Sequence, residues 1–269
     1  MSYRRLEKET FIESGILSAS RKWFQETTDT HWHDFYEMEY IISGTGCYEI
    51  NGRSFPMEAG MFFFMTTADF HKVYANRAQL VNIMFDHSLV TSSYLAPFTD
   101  HTSVKAMQIP EDMRPFFLTL LEEIVAFQSD LSYSSALLDC LLLKLQRIGL
   151  GTAAGNENST VQKIRFYMIN HFRTGVTLDD VASYVNLTPT YVSALFKKEM
   201  NQNFKTYLDE LRFSNARKLL LYSDLTVTEV CGESGFDDYP NFIRRFRKHY
   251  GVTPTQLRGT TPFFSKNID

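Results

Sequence analysis

Four residues in the first third of the chain have the types and the spacing of metal ligands. His31 and His33 are two residues apart, and Glu37 follows with the same parity. Side chains two apart on a β-strand point to one side, so all three would face the same way. A neighbouring strand could bring His71 to them. Three imidazoles and a carboxylate suit Fe, Mn, Ni or Zn, so a divalent transition metal is one interpretation of this cluster.

A pocket for a small organic molecule is the other interpretation of the same cluster. Aromatic residues surround the polar groups in the sequence: Trp32, Phe35, Tyr36, Tyr40, Phe62, Phe64, Phe70 and Tyr74. Aromatic walls with a few convergent polar groups suit a sugar or another small polar ligand, although alternating aromatics are also ordinary core residues. We expect no resident cofactor. The expected effector contacts are His31, His33, Tyr36, Glu37 and His71.

A second set of residues with functional spacing is repeated near the C-terminus. Each copy predicts a short helix, a tight turn and a second helix that ends in basic residues, over 178–198 and 227–248. Apolar positions match at an offset of 49 before the turn and 50 after it. A period of this length indicates a duplicated unit. The order of its parts is that of a helix-turn-helix, which reads the major groove of DNA.

The outward face of each second helix carries the residues that we expect to touch DNA. Arg can grip guanine, and Asn adenine, with two hydrogen bonds. The predicted base-reading residues are Thr190, Ser193, Tyr239, Asn241 and Arg244. Neighbouring basic side chains would contact phosphates, and these are Lys197, Lys198, Arg245, Arg247 and Lys248. A long helix between the copies would hold them about 34 Å apart, one turn of DNA.

The elements that must position the first cluster are predicted to be short strands, followed by helices. Residues 15–85 contain apolar runs at Met38–Ile42 and Cys47–Ile50, separated by Gly44–Gly46, and the pair Asn51-Gly52 predicts a hairpin. This pattern favours a small antiparallel barrel or sandwich. Residues 113–148 then follow a helical period. Because the stretch 136–145 is almost wholly apolar, it either packs on the barrel alone or also contacts a second subunit.

Charge and composition divide the chain of 269 residues into two domains. Residues 1–159 carry a net charge of −8 and residues 160–269 a net charge of +4, which fits a sensor joined to a polyanion-binding module. A stretch rich in Gly, Ala and Asn lies at this boundary. We therefore predict an effector-binding and dimerisation domain over 1–150, a linker over 151–159 and a DNA-binding domain over 160–262.

The sequence also predicts a cytoplasmic protein without a membrane partner. Cys47, Cys140 and Cys231 are isolated and show neither a metal spacing nor a disulfide framework. No apolar run reaches about 18 residues, and the N-terminus lacks the core of a signal peptide.

Motifs in both halves resemble known families. The signature of AraC/XylS-type transcription regulators is similar to Val230-Cys-x3-Gly235-Phe236-x5-Phe242-x3-Phe246-Arg-Lys-x2-Gly251-x-Thr253-Pro254-x3-Arg258, and the resemblance spans about 100 residues. In the first copy, Asn186 and Asn201 stand where Gly is common, and Asn also tolerates the left-handed conformation. Ala194 occupies a position where this family often places a base-reading Arg, which shifts the expected readout towards Arg244.

The N-terminal half resembles the cupin superfamily. The run His31-x-His33-x3-Glu37-x6-Gly44 looks like the first cupin motif, and Pro56-x3-Gly60 followed by His71 loosely resembles the second. In metal-binding cupins, residues at these positions supply two His, one Glu and a last His. Regulators of the AraC type commonly carry such a barrel as a sensor of a small molecule, without catalysis.

Together the residues and the resemblances predict an α+β multidomain protein. A cupin-like antiparallel β-barrel with helices would precede an all-α domain with two helix-turn-helix motifs joined by a long helix. The predicted function is a sequence-specific DNA-binding regulator, not an enzyme, that is homodimeric and responds to a small, sugar-like effector. Two alternatives stay open: a metal-dependent cupin enzyme fused to a DNA-binding domain, and a DNA-binding protein whose barrel only dimerises.

Overall fold

The computed structural model describes residues 4–6, 16–99, 105–150 and 159–259, and these form two units. The first unit extends to Phe166 and the second begins at Tyr167. The division falls inside a helix, and most of the predicted linker, residues 151–158, lies outside the described residues. The domain boundaries at 150 and 160 therefore stay predictions.

The described part of the first unit contains an eight-stranded sheet. Its strands are β1 (Arg4–Leu6), β2 (Leu17–Phe24), β3 (His31–His33), β4 (Tyr36–Ile50), β5 (Arg53–Met57), β6 (Met61–Met65), β7 (His71–Phe85) and β8 (Ala106–Gln108). The order is β1-β3-β7-β4-β6-β8, with β2 also paired to β7 and β5 to β4. The pair β1–β3 is parallel, and the other pairs are antiparallel.

The predicted hairpin at Asn51-Gly52 is confirmed, whereas the predicted break at Gly44–Gly46 is wrong. Asn51 and Gly52 both have positive φ, 51° and 78°, as a two-residue turn requires. At Gly44 the strand continues, and its pairing with β7 shifts register between Ile41 and Thr45. Gly44 has a φ of 104°, and a Cβ there would lie 2.4 Å from the carbonyl oxygen of Arg77. Glycine therefore permits a bulge here, so β4 stays one long strand.

Helices cover one face of this sheet, which we call the helix face. Four α-helices begin in the described part of this unit: α1 (Ser92–Leu95), α2 (Arg114–Ala126), α3 (Leu131–Arg147) and α4 (Ser159–His171), the last of which crosses into the second unit. Phe117 and Leu121 of α2 and Leu138 and Leu142 of α3 are fully buried in one cluster with residues of the sheet. The predicted helical period over 113–148 is confirmed.

The second unit contains the predicted duplication. Its further helices are α5 (Leu178–Tyr184), α6 (Pro189–Met200), α7 (Phe204–Tyr222), α8 (Val227–Glu233), α9 (Tyr239–Tyr250) and α10 (Pro254–Gly259). The bounds of α5 and α8 differ by 49 residues, and those of α6 and α9 by 50. Matching capping boxes begin α5 at Thr177 and α8 at Thr226. Among the described residues, none of the helices is long and apolar enough to cross a bilayer.

The turns and the middle helix fix the two copies within the unit. Asn186 and Gly235 occupy the matching left-handed turns, with φ of 56° and 78°. The predicted tolerance of Asn for this conformation is confirmed. Gly235 packs against the carbonyl of Phe172, to which Arg212 of α7 donates from Nε at 2.7 Å. Asn215 of α7 donates to the Glu233 carbonyl at the end of α8.

Replacing Gly235 should therefore cost more than replacing its counterpart in the first copy. A Cβ at Gly235 would lie 2.6 Å from the Phe172 oxygen, so Gly235→Ala adds a clash to the left-handed strain. We expect a loss of about 2–3 kcal/mol in the free energy of unfolding. Asn186→Gly keeps the turn free of strain and should change the free energy of unfolding by less than about 1 kcal/mol. Urea denaturation followed by circular dichroism measures both, and equal losses would contradict this account.

Candidate functional site

The structure brings together the four polar residues singled out in the N-terminal half. Nε2 of His33 lies 3.1 Å from Oε2 of Glu37, and Nε2 of His71 lies 3.2 Å from the same oxygen. His31 pairs in register with His71, and their rings are 4.1 Å apart between centroids. All four side chains are buried. They lie on the face of the sheet opposite the helix face, which we call the inner face.

Backbone carbonyls fix the tautomers of two of these histidines. Nδ1 of His31 lies 2.9 Å from the carbonyl oxygen of Asp29, and Nδ1 of His33 lies 2.7 Å from that of Phe35. A carbonyl can only accept, so both Nδ1 atoms carry hydrogen. A neutral His33 then presents a bare lone pair at Nε2 towards the carboxylate of Glu37. This contact is favourable only if positive charge lies in it, either as a second ring proton or as a bound cation.

Burial and mutual charge set the protonation of this cluster. Burial acts to raise the pKa of Glu37, but hydrogen bonds and charge from His33 and His71 outweigh it and hold that pKa well below its ordinary value. Burial, followed by the neighbouring His71, lowers the pKa of His31 to about 3. Burial likewise lowers the pKa of His71. Glu37 is therefore ionised near neutral pH, and His31 and His71 are neutral.

Two further residues, neither of them predicted from the sequence, belong to the cluster. Nδ2 of Asn82 donates to Oε1 of Glu37 at 2.5 Å and to Oε1 of Glu39 at 2.6 Å. Burial, and then the charge of Glu37, raise the pKa of Glu39 to about 7. The parity of β4 gave a signal for Glu39, which lies two residues after Glu37. For Asn82, the only indication in the sequence was a single amide side chain inside an apolar strand, which is weak evidence for a site.

Tyr36 lies apart from this cluster, which corrects its prediction as an effector contact. It adjoins Glu37 on β4, and neighbouring side chains on a strand point to opposite faces. Its ring is fully buried on the helix face, 5.6 Å from the ring of Phe85 and 6.1 Å from that of Phe64. Tyr36 is therefore one of the alternating aromatics that are ordinary core residues, and it belongs to the core under the helices.

The predicted base-reading residues of the second copy lie together at the start of α9. Asp238 caps the helix and accepts from the backbone N–H of Asn241. Nη2 of Arg244 donates to Oδ1 of Asn241 at 3.0 Å. Tyr239 and Arg244 are exposed and Asn241 is half-buried. Phe242 and Phe246 are fully buried on the other side of α9. The side that carries the three polar residues therefore faces solvent.

The corresponding residues of the first copy are arranged in the same way on α6. Thr188 caps the helix, Val192 and Phe196 are buried, and Thr190 is exposed with Ser193 half-buried beside it. Four predicted phosphate contacts are exposed near the ends of the two helices: Lys197, Lys198, Arg247 and Lys248.

Arg245 is placed differently from the other basic residues, which corrects its prediction as a phosphate contact. Its guanidinium forms an ion pair with Asp209 of α7. It also lies over the rings of Phe213 and Phe236, at 5.5 Å and 5.6 Å from their centroids. The helical period explains the difference, since the position after Arg244 turns away from the outward face. Arg245 therefore ties α9 to α7 inside the unit.

Comparisons with known proteins agree with both units. A family model described as the AraC-like ligand binding domain matches residues 17–155, and one described as a helix-turn-helix domain matches residues 181–260. The HTH-type transcriptional activator RhaS of Escherichia fergusonii is 24% identical over 242 residues, which cover 85% of this chain and 86% of that protein. RhaS of Klebsiella pneumoniae (strain 342) is 23% identical over 270 residues, covering 94% and 96%.

A solved structure is also similar to part of the chain. The C-terminal domain of AraT, a response regulator from Geobacillus stearothermophilus, is 32% identical, covers 43% of this chain and 95% of its own, and has a TM-score of 0.40.

The ligand-binding family model alone spans more than half of the 269 residues, and the curated relatives are transcriptional activators rather than enzymes. The chain belongs to the AraC family of DNA-binding transcription regulators, with a cupin-like ligand-binding domain ahead of its helix-turn-helix domain.

Proposed function

We propose that this regulator responds to a small polar effector, of the size and character of a sugar, that binds the inner face of its sheet. The observation that carries the proposal is the buried cluster of His31, His33, Glu37 and His71. Burying charged and polar groups is costly, and a structural core could be built from apolar residues at lower cost. A polar cluster inside a ligand-binding domain is accounted for if its groups bind something.

A bound divalent transition metal is the second candidate for this cluster. One ligand atom each from His33, Glu37 and His71 lies within 4.8 Å of the other two, and carbonyls direct the bare Nε2 of His33 towards Glu37 as in metal sites. The donor set therefore fits such an ion, with His31 beside it. The ion would supply the positive charge that the lone pair of His33 and the carboxylate of Glu37 both require.

We propose that α6 and α9 enter successive major grooves and that α9 supplies the stronger base readout. Arg244 and Asn241 form a hydrogen-bonded pair on its exposed side, and these are the residue types that bind guanine and adenine with two hydrogen bonds. The first copy has Ala194 where a long polar side chain could reach a base. Thr190, Ser193 and Tyr239 are the further base contacts, and Lys197, Lys198, Arg247 and Lys248 contact phosphates.

Substitutions on α9 should separate base readout, phosphate contact and folding. Arg244→Ala should lower specific affinity by about 1–3 kcal/mol and relax the preference at one base pair. Lys248→Ala should weaken binding to all sequences and reduce the salt dependence. Fluorescence anisotropy with operator and scrambled duplexes at several salt concentrations measures both effects.

The neighbouring Arg245 is the matched control for Arg244. Because its guanidinium is engaged with Asp209, Phe213 and Phe236, Arg245→Ala should lower the free energy of unfolding by about 1–2 kcal/mol. Base preference should stay unchanged. An Arg244→Ala protein that still discriminates its operator normally would show that α9 reads DNA through other residues.

We also propose that the outward side of α2 and α3 joins two copies of the chain. Phe116 and Tyr133 are exposed by 46% and 42%, and Leu143 by 36%. The ammonium of Lys144 lies 5.5 Å from the centre of the Phe116 ring. Large exposed apolar side chains on two adjacent helices favour burial against a second, identical surface.

Placing a charge in this surface should weaken the dimer. Leu143→Glu buries an unpaired carboxylate in the contact, and we expect the dissociation constant of the dimer to rise at least about tenfold. Ser54→Glu adds the same charge at an exposed position of β5, outside these helices, and should leave association unchanged. Light scattering after size-exclusion chromatography measures both, and a Leu143→Glu protein that dimerises like wild type would exclude this surface.

Removing one imidazole from the cluster tests the effector-binding function. His33→Ala should abolish the change in DNA affinity that an effector causes, while DNA binding without effector persists, because the cluster and the reading helices belong to different units. If a metal is bound, wild-type protein should retain about one ion after dialysis and His33→Ala should lose it. His87→Ala, in the same unit but outside the cluster, is the control for loss of a histidine elsewhere. Equal effector responses of wild type and His33→Ala would remove the cluster from the site, and a barrel that only dimerises would remain.

A further inference from the structure

The inner face of the sheet contains three buried acceptors that receive no hydrogen bond from the described residues. They are Oε2 of Glu39, Oδ1 of Asn82 and Nδ1 of His71. His71 places Nε2 against the carboxylate of Glu37, so its hydrogen lies there and the neutral ring leaves Nδ1 as an acceptor. The side chains of Glu39, Asn82 and His71 are all more than nine-tenths buried. An unsatisfied buried acceptor is costly, so three of them at one place need an explanation.

The donors of the cluster itself are already used. Both hydrogens of the Asn82 amide are engaged, one with Oε1 of Glu37 and one with Oε1 of Glu39. The Nδ1 hydrogens of His31 and His33 go to backbone carbonyls. The cluster therefore has a surplus of acceptors, and whatever completes it must bring hydrogen-bond donors.

Strand register places the two central acceptors at one point of the sheet. Glu39 of β4 pairs with Asn82 of β7, and Asn82 pairs on its other side with Ser20 of β2. Phe63 of β6 flanks Glu39 on the inner face. This row offers two adjacent acceptors, a hydroxyl and an aromatic ring. Adjacent hydroxyl groups on a carbon chain or ring match the acceptors, and the apolar edge of such a ligand matches Phe63.

We propose that Glu39 and Asn82 form the recognition pair of the effector pocket and that they select a neutral ligand with adjacent hydroxyl groups. The inference rests on the proposed effector-binding function and names the chemistry of that site. The ionised carboxylate of Glu37, beside the amide of Asn82, would repel a carboxylate or phosphate on the ligand. Sugar acids and sugar phosphates are therefore excluded by their charge. Neutral sugars and polyols are accepted because their hydroxyl groups can donate to the buried acceptors.

The test compares matched probes on the full-length protein. Thermal shift at pH 8 surveys neutral pentoses, hexoses, deoxyhexoses and alditols beside the corresponding uronic acids and amino sugars, and calorimetry then measures the affinity of each hit. At least one neutral probe should bind wild type, and its uronic acid should not. Glu39→Gln turns the acceptor at Oε2 into a donor and should weaken that probe at least about tenfold. The matched control is Glu49→Gln, because Glu49 pairs with Lys72 outside the cluster. Its affinity for the same probe should stay within about twofold of wild type.

The unliganded proteins provide a second readout that needs no ligand. If Glu39 is present for binding and not for folding, Glu39→Gln should melt no lower than wild type, since it removes an unsatisfied acceptor. Asn82→Thr is the second variant, because it lacks the Oδ1 acceptor but keeps one donor, and it should also weaken the neutral probe. A Glu39→Gln protein that melts well below wild type would assign Glu39 to folding and overturn the proposal.

The remaining outcomes separate this proposal from the function on which it rests. A neutral sugar that binds wild type, Glu39→Gln and Asn82→Thr equally would overturn the recognition pair and leave the effector function standing. Preferential binding of uronic acids, or of amino sugars alone, would overturn the ligand class while the pocket stands. Wild type that binds none of the probes would remove both the sugar-like effector and this inference.

Discussion

The carboxylate of Glu37 is the group on which the arrangement of the inner face depends. It is buried and ionised, and such a group is tolerated only where charge and hydrogen bonds compensate its lost hydration. His71 and Asn82 supply hydrogen bonds from β7, and a proton or a cation between His33 of β3 and the carboxylate supplies the rest. Because these partners lie on different strands, their contacts with the carboxylate link β3, β4 and β7. Replacing any one partner would therefore change the charge and the hydrogen bonding of the whole cluster.

A different constraint governs the second unit, which repeats one design without repeating its details. Both copies use a Thr cap, a left-handed turn and two buried side chains on the second helix. The second copy adds Gly235 against the Phe172 carbonyl and Arg245 between α7 and α9. These contacts fix the second copy within the unit, and the same copy carries the Arg–Asn pair. A helix that places a planar guanidinium against a base edge discriminates bases better if it is held rigidly, because the two hydrogen bonds need a fixed geometry.

The sequence predicted most of what depends on local periodicity. The offsets of 49 and 50 between the helix-turn-helix copies, the Asn51-Gly52 turn and the buried faces of α2 and α3 all follow from spacing and turn chemistry. Predictions that needed tertiary knowledge were weaker. The bulge at Gly44 could not be read from the chain, because it exists only against Arg77 of β7. Arg245 looked like one more surface cation, since Asp209 and Phe213 come together with it only in the folded unit.

The same reasoning explains the errors at the inner face. Parity places Glu37 on one face of β4 and Tyr36 on the other, so strict alternation would have excluded Tyr36 and included Glu39. Asn82 could not be assigned, because its partners Glu37 and Glu39 lie more than 40 residues away in sequence. Motif resemblance identified the residues that a metal would use and was silent about the acceptors beside them.

The excess of buried acceptors also bears on how an effector could act on a regulator. A ligand shifts an equilibrium only by the difference in its affinity for the two states. An inner face with unsatisfied acceptors is less stable without ligand than a satisfied one, so a ligand that supplies donors gains that difference in free energy on binding. That gain is available to shift the regulator towards the state that contains the completed cluster, without any ligand contact to the DNA-reading helices. On the proposed function, the unsatisfied acceptors of the unliganded cluster are then part of the response and not a defect of the core.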